Sequence, residues 1–302
     1  MTSVRFFSFF ALLLMFTGGL ALSDSPASAQ LPEHPLQILS WNIEWFPGKG
    51  FESTPDREQA QIEVVQEELR RLDPDILIAS EIRDWAAFEE AVRVVPGLRI
   101  HVVSNFRASE GGELWRQQVA IASRLKCLAT WSEPFEPTIP MLTRGFGFAA
   151  LEDPASGELI LVYAVHLKSN RSRTEEEAQM NFTIRNESTR QILNHMEEMK
   201  RTTFQNKPIR GWIFAGDFNT NHDGQFEDRV VEKIEDAGFW NSWKNIPREK
   251  RLTWRGSDQF EPTTFDYIFL KGFGGPEAFM AETAEETSDH DGVMVEIDLS
   301  SK

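Results

Sequence analysis

The stretch IRGWIFAGDFN, residues 209–219, decides how the chain is read. Ile209 to Ala215 is a short, mostly apolar run, which suits a buried strand better than a helix. It stops at Gly216-Asp217-Phe218-Asn219, so a carboxylate and an amide stand where the apolar run ends. Burying such groups without partners costs about 1–3 kcal/mol each, and more for a charge. The pattern recurs along the chain. Leu36 to Phe46 encloses Asn42, Asp75 to Glu81 ends on an acid, and Leu159 to His166 ends on an imidazole. Thr264 to Leu270 carries Asp266, and Asp289-His290 precedes the run from Gly292 to Leu299. Strand ends are where side chains from distant parts of a sequence can meet.

Between these runs the apolar period changes to that of helices. Thr54 and Pro55 form a helix start, and Ile62, Val65, Leu69 and Leu72 continue one apolar stripe until Asp73-Pro74-Asp75 stops it. Trp85 to Val95 followed by Arg99 to Val103 reads as a helix and a strand, and Val119 to Ser123 and Phe146 to Leu151 as further strands. Thr174 with Glu177 is a capping box that opens a long helix through Met180, Ile184, Ile192, Met196 and Met199. Gln225 to Ala237 also has a helical pattern. No low-complexity linker or short repeat interrupts the series, which implies one domain of mixed helix and sheet, with two packed sheets covered by helices.

Composition sets outer limits. The chain has 302 residues, 41% hydrophobic and 26% charged, which excludes collagen, a coiled coil and a fully disordered chain. A single cysteine, Cys127, can make neither an internal disulfide nor a thiolate metal cluster. The formal net charge of −16 excludes a protein that holds nucleic acid by bulk attraction, though not one that touches phosphates locally. Residues 1–29 read as a secretory signal: Arg5, an apolar run from Phe6 to Phe16, and Ala27-Ser28-Ala29 as the cleavage site. The break at Gly18-Gly19 leaves the run short for a stable membrane span, which needs roughly 20 residues. Residues 30–302 then form the catalytic domain, expected as a monomer in a secreted or periplasmic setting. Asn170, Asn181 and Asn186 begin glycosylation sequons, relevant only in a eukaryotic secretory route.

Carboxylates, amides and two histidines at strand ends make chemistry for a hard cation and a phosphate. Oxygen ligands suit Mg²⁺ or Mn²⁺, whereas zinc prefers more histidine or cysteine. Each residue alone has a plainer reading: Asp217 to Asn219 as a turn, Asp289-His290 as a solvated loop, His166 as a histidine at a strand edge, and Glu44 as structural. The joint order carries the argument.

That order resembles the endonuclease/exonuclease/phosphatase family, with the DNase I-like fold, from about Leu36 to Leu299. The motifs are Ser-Trp-Asn42-Ile, Ala-Ser-Glu81, Val-His166-Leu-Lys-Ser, Gly-Asp217-Phe-Asn219, Phe-Asp266-Tyr-Ile and Ser-Asp289-His290. The resemblance implies an α/β fold, a four-layered α/β/β/α sandwich of two packed mixed sheets flanked by helices. It implies hydrolysis of a phosphate ester with Mg²⁺, Mn²⁺ being the alternative. Glu81 would be the principal metal ligand, with Asn42 and Asp289 helping to hold the ion. Asp217 and Asn219 would orient the attacking water and the phosphate. His290 would face the phosphate or departing oxygen with Asp266 fixing its ring, and His166 would be the second phosphate-facing imidazole. His166 is tyrosine in the abasic-site enzymes, which aligns this chain with the DNase and sphingomyelinase branches.

The sequence departs from the family in having Gln118 before the Val-Ala-Ile strand, where glycine is common, and the carboxylate that partners the first histidine of secreted DNases is not assigned. Lys168 and Arg171 are candidate phosphate contacts. The tryptophans Trp41, Trp45, Trp240, Trp243 and Trp254 fill the core or stack on bases. DNA is the first expected substrate, in an exported endonuclease. Lipid headgroups or other small phosphate esters are the alternative, for a sphingomyelinase-like or inositol-phosphatase-like enzyme. A non-catalytic binding module would predict losses among the site residues, and none is lost.

Overall fold

The computed structural model describes residues 34–107 and 112–300, so the leader read at 1–29 lies outside the described residues. Two six-stranded mixed sheets form the centre. The first is built on β1 (Leu36–Phe46) and β2 (Ile76–Ile82), which run parallel. Parallel neighbours need a crossover, and the helix α1 (Pro55–Leu72) supplies it. β4 (Gln118–Ser123) and β3 (Arg99–Val103) extend one side, β12 (Gly292–Ile297) and β11 (Phe279–Ala281) the other. The second sheet repeats the plan. β7 (Leu159–His166) and β8 (Ile209–Asp217) are parallel, and α3 (Glu175–Arg201) joins them. β6 (Gly145–Glu152) and β5 (Cys127–Pro134) lie beyond β7; β10 (Asp266–Lys271) and β9 (Trp240–Asn241) lie beyond β8.

The strand period of two sorts the first sheet's side chains into two cores. Ile38, Ile78, Ile121 and Val295 join Val162, Ala164 and Ile213 between the sheets. Leu39, Trp41, Leu77 and Ala120 point the other way, onto Val65 and Leu69 of α1 and Phe88 of α2 (Trp85–Val92). On the outer side of the second sheet Ile184, Ile192 and Met196 of α3 join Phe148, Leu161 and Tyr163, and the Tyr163 hydroxyl lies 2.9 Å from His195 Nδ1 of α3. This is the α/β/β/α sandwich expected from the sequence.

Local signals held where a cap or periodicity was explicit. Thr54 accepts from the Arg57 amide, and the Asp73 cap is left-handed at φ 44°. Thr174 accepts from the Glu177 amide at 3.2 Å, but the Glu177 carboxylate reaches back to the Arg173 amide, at 2.7 Å, one residue earlier than a capping box requires. The helix expected at Gln225–Ala237 is shorter: α4 spans Val230–Asp236. Gln225 is held outside it, its Oε1 accepting from Asn221 and Thr263, and Asp228 is taken by Arg185. The strands β5, β9 and β11 are additions to the sequence reading. Gln118 replaces glycine productively: its amide bonds Ser104, both backbone groups of Phe106, and the carbonyl of Trp115.

Candidate active site

Register alone brings the polar strand ends together. β7 and β8 pair His166 with Asp217, and β8 and β10 pair Asp217 with Asp266. In the first sheet β1 and β2 pair Asn42 with Ser80, after which both strands bulge. Backbone strain collects here. Glu44, Trp45, Glu81 and Asn219 have φ of 34°, 49°, 62° and 53°, a region that non-glycine residues enter at about 1–3 kcal/mol each. Gly216, at φ 140°, could not be replaced freely, since a Cβ would lie 2.0 Å from the Val165 carbonyl oxygen.

Asn42 ties the two sheets across the site. Its Nδ2 donates to Glu81 Oε1 at 3.3 Å and to Asp217 Oδ2 at 3.0 Å, while its Oδ1 accepts from the Glu44 amide. Glu81 Oε2 accepts from the Trp45 amide at 2.9 Å, so the bulge in β1 serves to aim a backbone donor at that carboxylate. Asp217 Oδ1 accepts from the Asn219 amide at 2.8 Å, and Asn219 Nδ2 donates to the Leu167 carbonyl.

His290 is held on every side. Its Nδ1 donates to Asp266 Oδ2 at 2.7 Å, and Thr253 Oγ1 donates to the same oxygen at 2.8 Å. The His290 amide donates to Ser288 Oγ, whose hydroxyl donates to the Asn42 carbonyl, and Trp41 Nε1 donates to the His290 carbonyl. Asp289 is 44% exposed at its side chain and accepts from Trp254 Nε1 at 3.0 Å. His166 lies with Nε2 3.6 Å from Asp217 and 3.8 Å from Glu81. Its buried Nδ1 has no hydrogen-bond partner among the described residues.

These surroundings shift the two imidazoles in opposite directions. Burial opposes charge on His290, but Asp266, backed by Asp217 and Asp289, raises its pKa to about 10. Burial, then the charges of Arg144 and His290, hold His166 well below the ordinary histidine value. Burial and the charge of Asp266 push the Asp217 carboxyl up. Burial, with Asp289 and Glu81 nearby, raises Glu44, placing a further carboxylate at the rim of the site that the sequence reading took as structural.

Of the remaining sequence candidates, Lys168 is half-buried beside His166, its pKa lowered by burial and by Arg144 and Arg185. Arg171 stays on an exposed loop, where its carbonyl accepts from Asn181 Nδ2. Trp41 and Trp243 are core residues, whereas Trp254 reaches Asp289. The sequence reading passed over Arg144. It donates to the carbonyls of His166 and Leu167 and to Gln117 Oε1, and brings a positive charge near Glu81 and Asp217. Its one signal was its place directly before a strand that pairs with β7.

The donor set fits a hard divalent cation. One ligand atom each from Asp217, Asp266 and His290 lie within 4.8 Å of one another. The Asp266–His290 hydrogen bond commits Oδ2 of the one and Nδ1 of the other to each other, so the carboxylates and amide around Glu81, Asn42, Asp217 and Asp289 offer further oxygen donors for such an ion. The second Asp266 oxygen is buried without a hydrogen-bond partner among the described residues, as expected beside a site that binds water or an ion.

A family model described as the endonuclease/exonuclease/phosphatase family matches residues 39–290. No curated protein sequence matches. Among solved structures, an endonuclease/exonuclease/phosphatase family protein from Leptotrichia buccalis is 20% identical, with a TM-score of 0.62 over 87% of this chain and 100% of that one. Truncated TDP2 of Caenorhabditis elegans is 15% identical, at 0.62 over 87% and 96%. A mannosyl-6-phosphatase of Bacteroides thetaiotaomicron is 17% identical, at 0.60 over 87% and 100%. These likenesses are likenesses of fold.

Proposed function

The chain belongs to the endonuclease/exonuclease/phosphatase family, and from that premise we propose that it is a metal-dependent phosphodiester hydrolase, an exported DNA endonuclease, in which water attacks phosphorus in line. The observation that carries the reading is the Asp266–His290 pair directly beside Asp217, which the Asn42 amide links to Glu81. Glu81, Asn42 and Asp289 would hold Mg²⁺, or Mn²⁺ in its place. When bound, the cation neutralises charge on the non-bridging and leaving oxygens.

The chain's own groups do the rest. Asp217, with its proton affinity raised by burial and by Asp266, accepts a proton from the attacking water. Asn219 orients the phosphate. His290, cationic at neutral pH, donates from Nε2 to the phosphate or the departing oxygen, while Asp266 fixes its ring. His166 stays neutral and faces the phosphate by hydrogen bonding, with Lys168 and Arg171 as outer phosphate contacts.

A second reading, hydrolysis of small phosphate esters or lipid headgroups, is favoured by the net charge of −16, which repels a long polyanion. One assay separates the two. Supercoiled plasmid, 4-nitrophenyl phosphate, inositol phosphates and sphingomyelin are each incubated with the protein and Mg²⁺, with EDTA controls. EDTA-sensitive nicking is expected. Turnover of only the small or lipid esters would move the substrate to the second reading, and inertness toward all of them would remove the hydrolase reading.

A further inference from the structure

Gln61 belongs to none of the sequence motifs, yet its amide joins both halves of the site's rim. It lies on α1 and is 2% exposed. Oε1 accepts from the Gly48 amide at 2.5 Å and the Lys49 amide at 3.2 Å. Nε2 donates to the carbonyls of Ile43 at 3.1 Å, Glu44 at 3.2 Å and Thr287 at 2.7 Å. Every donor and acceptor of that amide is engaged, and all its partners are backbone atoms of two segments far apart in sequence.

Those segments carry the site. Residues 43–49 follow Asn42 and supply the Trp45 amide that holds Glu81 Oε2. They run through four positive φ values, at Glu44, Trp45, Gly48 and Lys49, three of them at non-glycine residues. Such backbone persists only where its surroundings over-determine it. Thr287 leads directly into Ser288, Asp289 and His290, and Ser288 Oγ returns to the Asn42 carbonyl.

We infer that Gln61 is a positioning residue: it locks the 43–49 bulge to the 287–290 segment, so that Glu81 and Asn42 on one side and the metal ligand Asp289 with His290 on the other keep one fixed separation. The inference rests on the reading of the site as a metal-dependent phosphoester hydrolase. Without the amide both segments lose their common anchor, and the carboxylates they aim drift apart together.

The test uses Gln61→Met, which keeps length but removes all five bonds, and Gln61→Glu, which keeps an acceptor toward Gly48 and Lys49 but sets a carboxylate against three carbonyls. Gln66→Met is the control. Gln66 is likewise buried on α1, but its Nε2 donates to the Glu90 carbonyl, away from the site. Mn²⁺ binding to the purified protein is measured by calorimetry, and kcat and KM on bis(4-nitrophenyl) phosphate. For either Gln61 variant, the Mn²⁺ Kd is expected to rise and kcat to fall, each by about 10–100-fold, the range for lost support of a metal ligand, with KM changed less than kcat. Gln66→Met is expected to lower the melting temperature and leave both constants in place. A folded Gln61 variant with Kd and kcat within twofold of wild type overturns the inference, and so does a Gln66→Met protein that loses as much as Gln61→Met. Should Gln61→Met fail to fold, Gln61→Glu carries the test. Wild-type protein that binds no Mn²⁺ and hydrolyses nothing is a different failure, one that removes the functional reading itself.

Discussion

Two histidines share the site and differ in charge because His290 has a carboxylate against Nδ1, whereas His166 is buried beside Arg144 with no partner at Nδ1 among the described residues. The pH behaviour follows from that difference. With its pKa at about 10, His290 keeps its proton through neutrality and loses it only as the pH climbs through that value. The same shift makes its contribution to folding fully present below the ordinary histidine value and lost as the pH rises toward about 10. Asp266→Asn removes the largest force that raises the pKa. The alkaline limb of the pH–rate profile is therefore expected to move toward neutral pH, with a lower plateau rate. An unmoved limb would show that another group sets it. At this scale the sequence was informative, because Asn42, Glu81, His166, Asp217, Asp266 and His290 interrupt apolar runs. Arg144, Thr253 and Gln61 were not legible. They act through backbone carbonyls, or through residues brought near only by folding, and nothing in their local sequence marks them.

Among the elements, α3 does more than cover the second sheet. Arg185 is fully buried on it, paired with Asp228 at 2.5 Å, and it donates to the Lys168 carbonyl. It lies over the rings of Phe182 and Phe226. One guanidinium thus ties the loop after His166 to the loop after Asn219, and Asp228 is held further by Thr220. Arg185→Ala leaves a buried carboxylate unpaired, a change that costs about 3–5 kcal/mol. Urea denaturation is expected to show a loss of that size. A loss under about 1 kcal/mol would mean the pair contributes only as an exposed one does. This pairing also explains why the helical pattern at Gln225–Ala237 overreached. Apolar spacing was real from Val230 onward, but Gln225 and Asp228 are drawn off by tertiary partners that no periodicity records.

For the molecule as a whole, the sandwich was legible because both sheets are built from runs buried on both faces, and the edge strands β5, β9 and β11 were not, being short or half exposed. The sequons are better read as structure. Asn181 is buried and donates to the Arg171 carbonyl, and Asn170 donates to the Asn219 carbonyl, so both serve the site loops. Among the described residues no helix is long and apolar enough to cross a membrane. The charge of −16 carries its own consequence for a nucleic-acid substrate. With Lys168 and Arg171 as the basic contacts, log affinity for DNA should fall with log salt at a slope near −2, at about −0.9 per neutralised phosphate. A slope of −5 or steeper would require a basic surface elsewhere.

The central claim is that His290, held by Asp266, serves metal-dependent hydrolysis of a phosphate ester. The most direct measurement compares initial rates of wild type and His290→Ala on supercoiled plasmid and bis(4-nitrophenyl) phosphate at saturating Mg²⁺, with and without EDTA, in proteins whose folding is checked by circular dichroism. The expected result is a rate lost to EDTA and lowered about a hundredfold or more by the substitution. A folded His290→Ala protein within threefold of wild type, or turnover indifferent to EDTA, would contradict it.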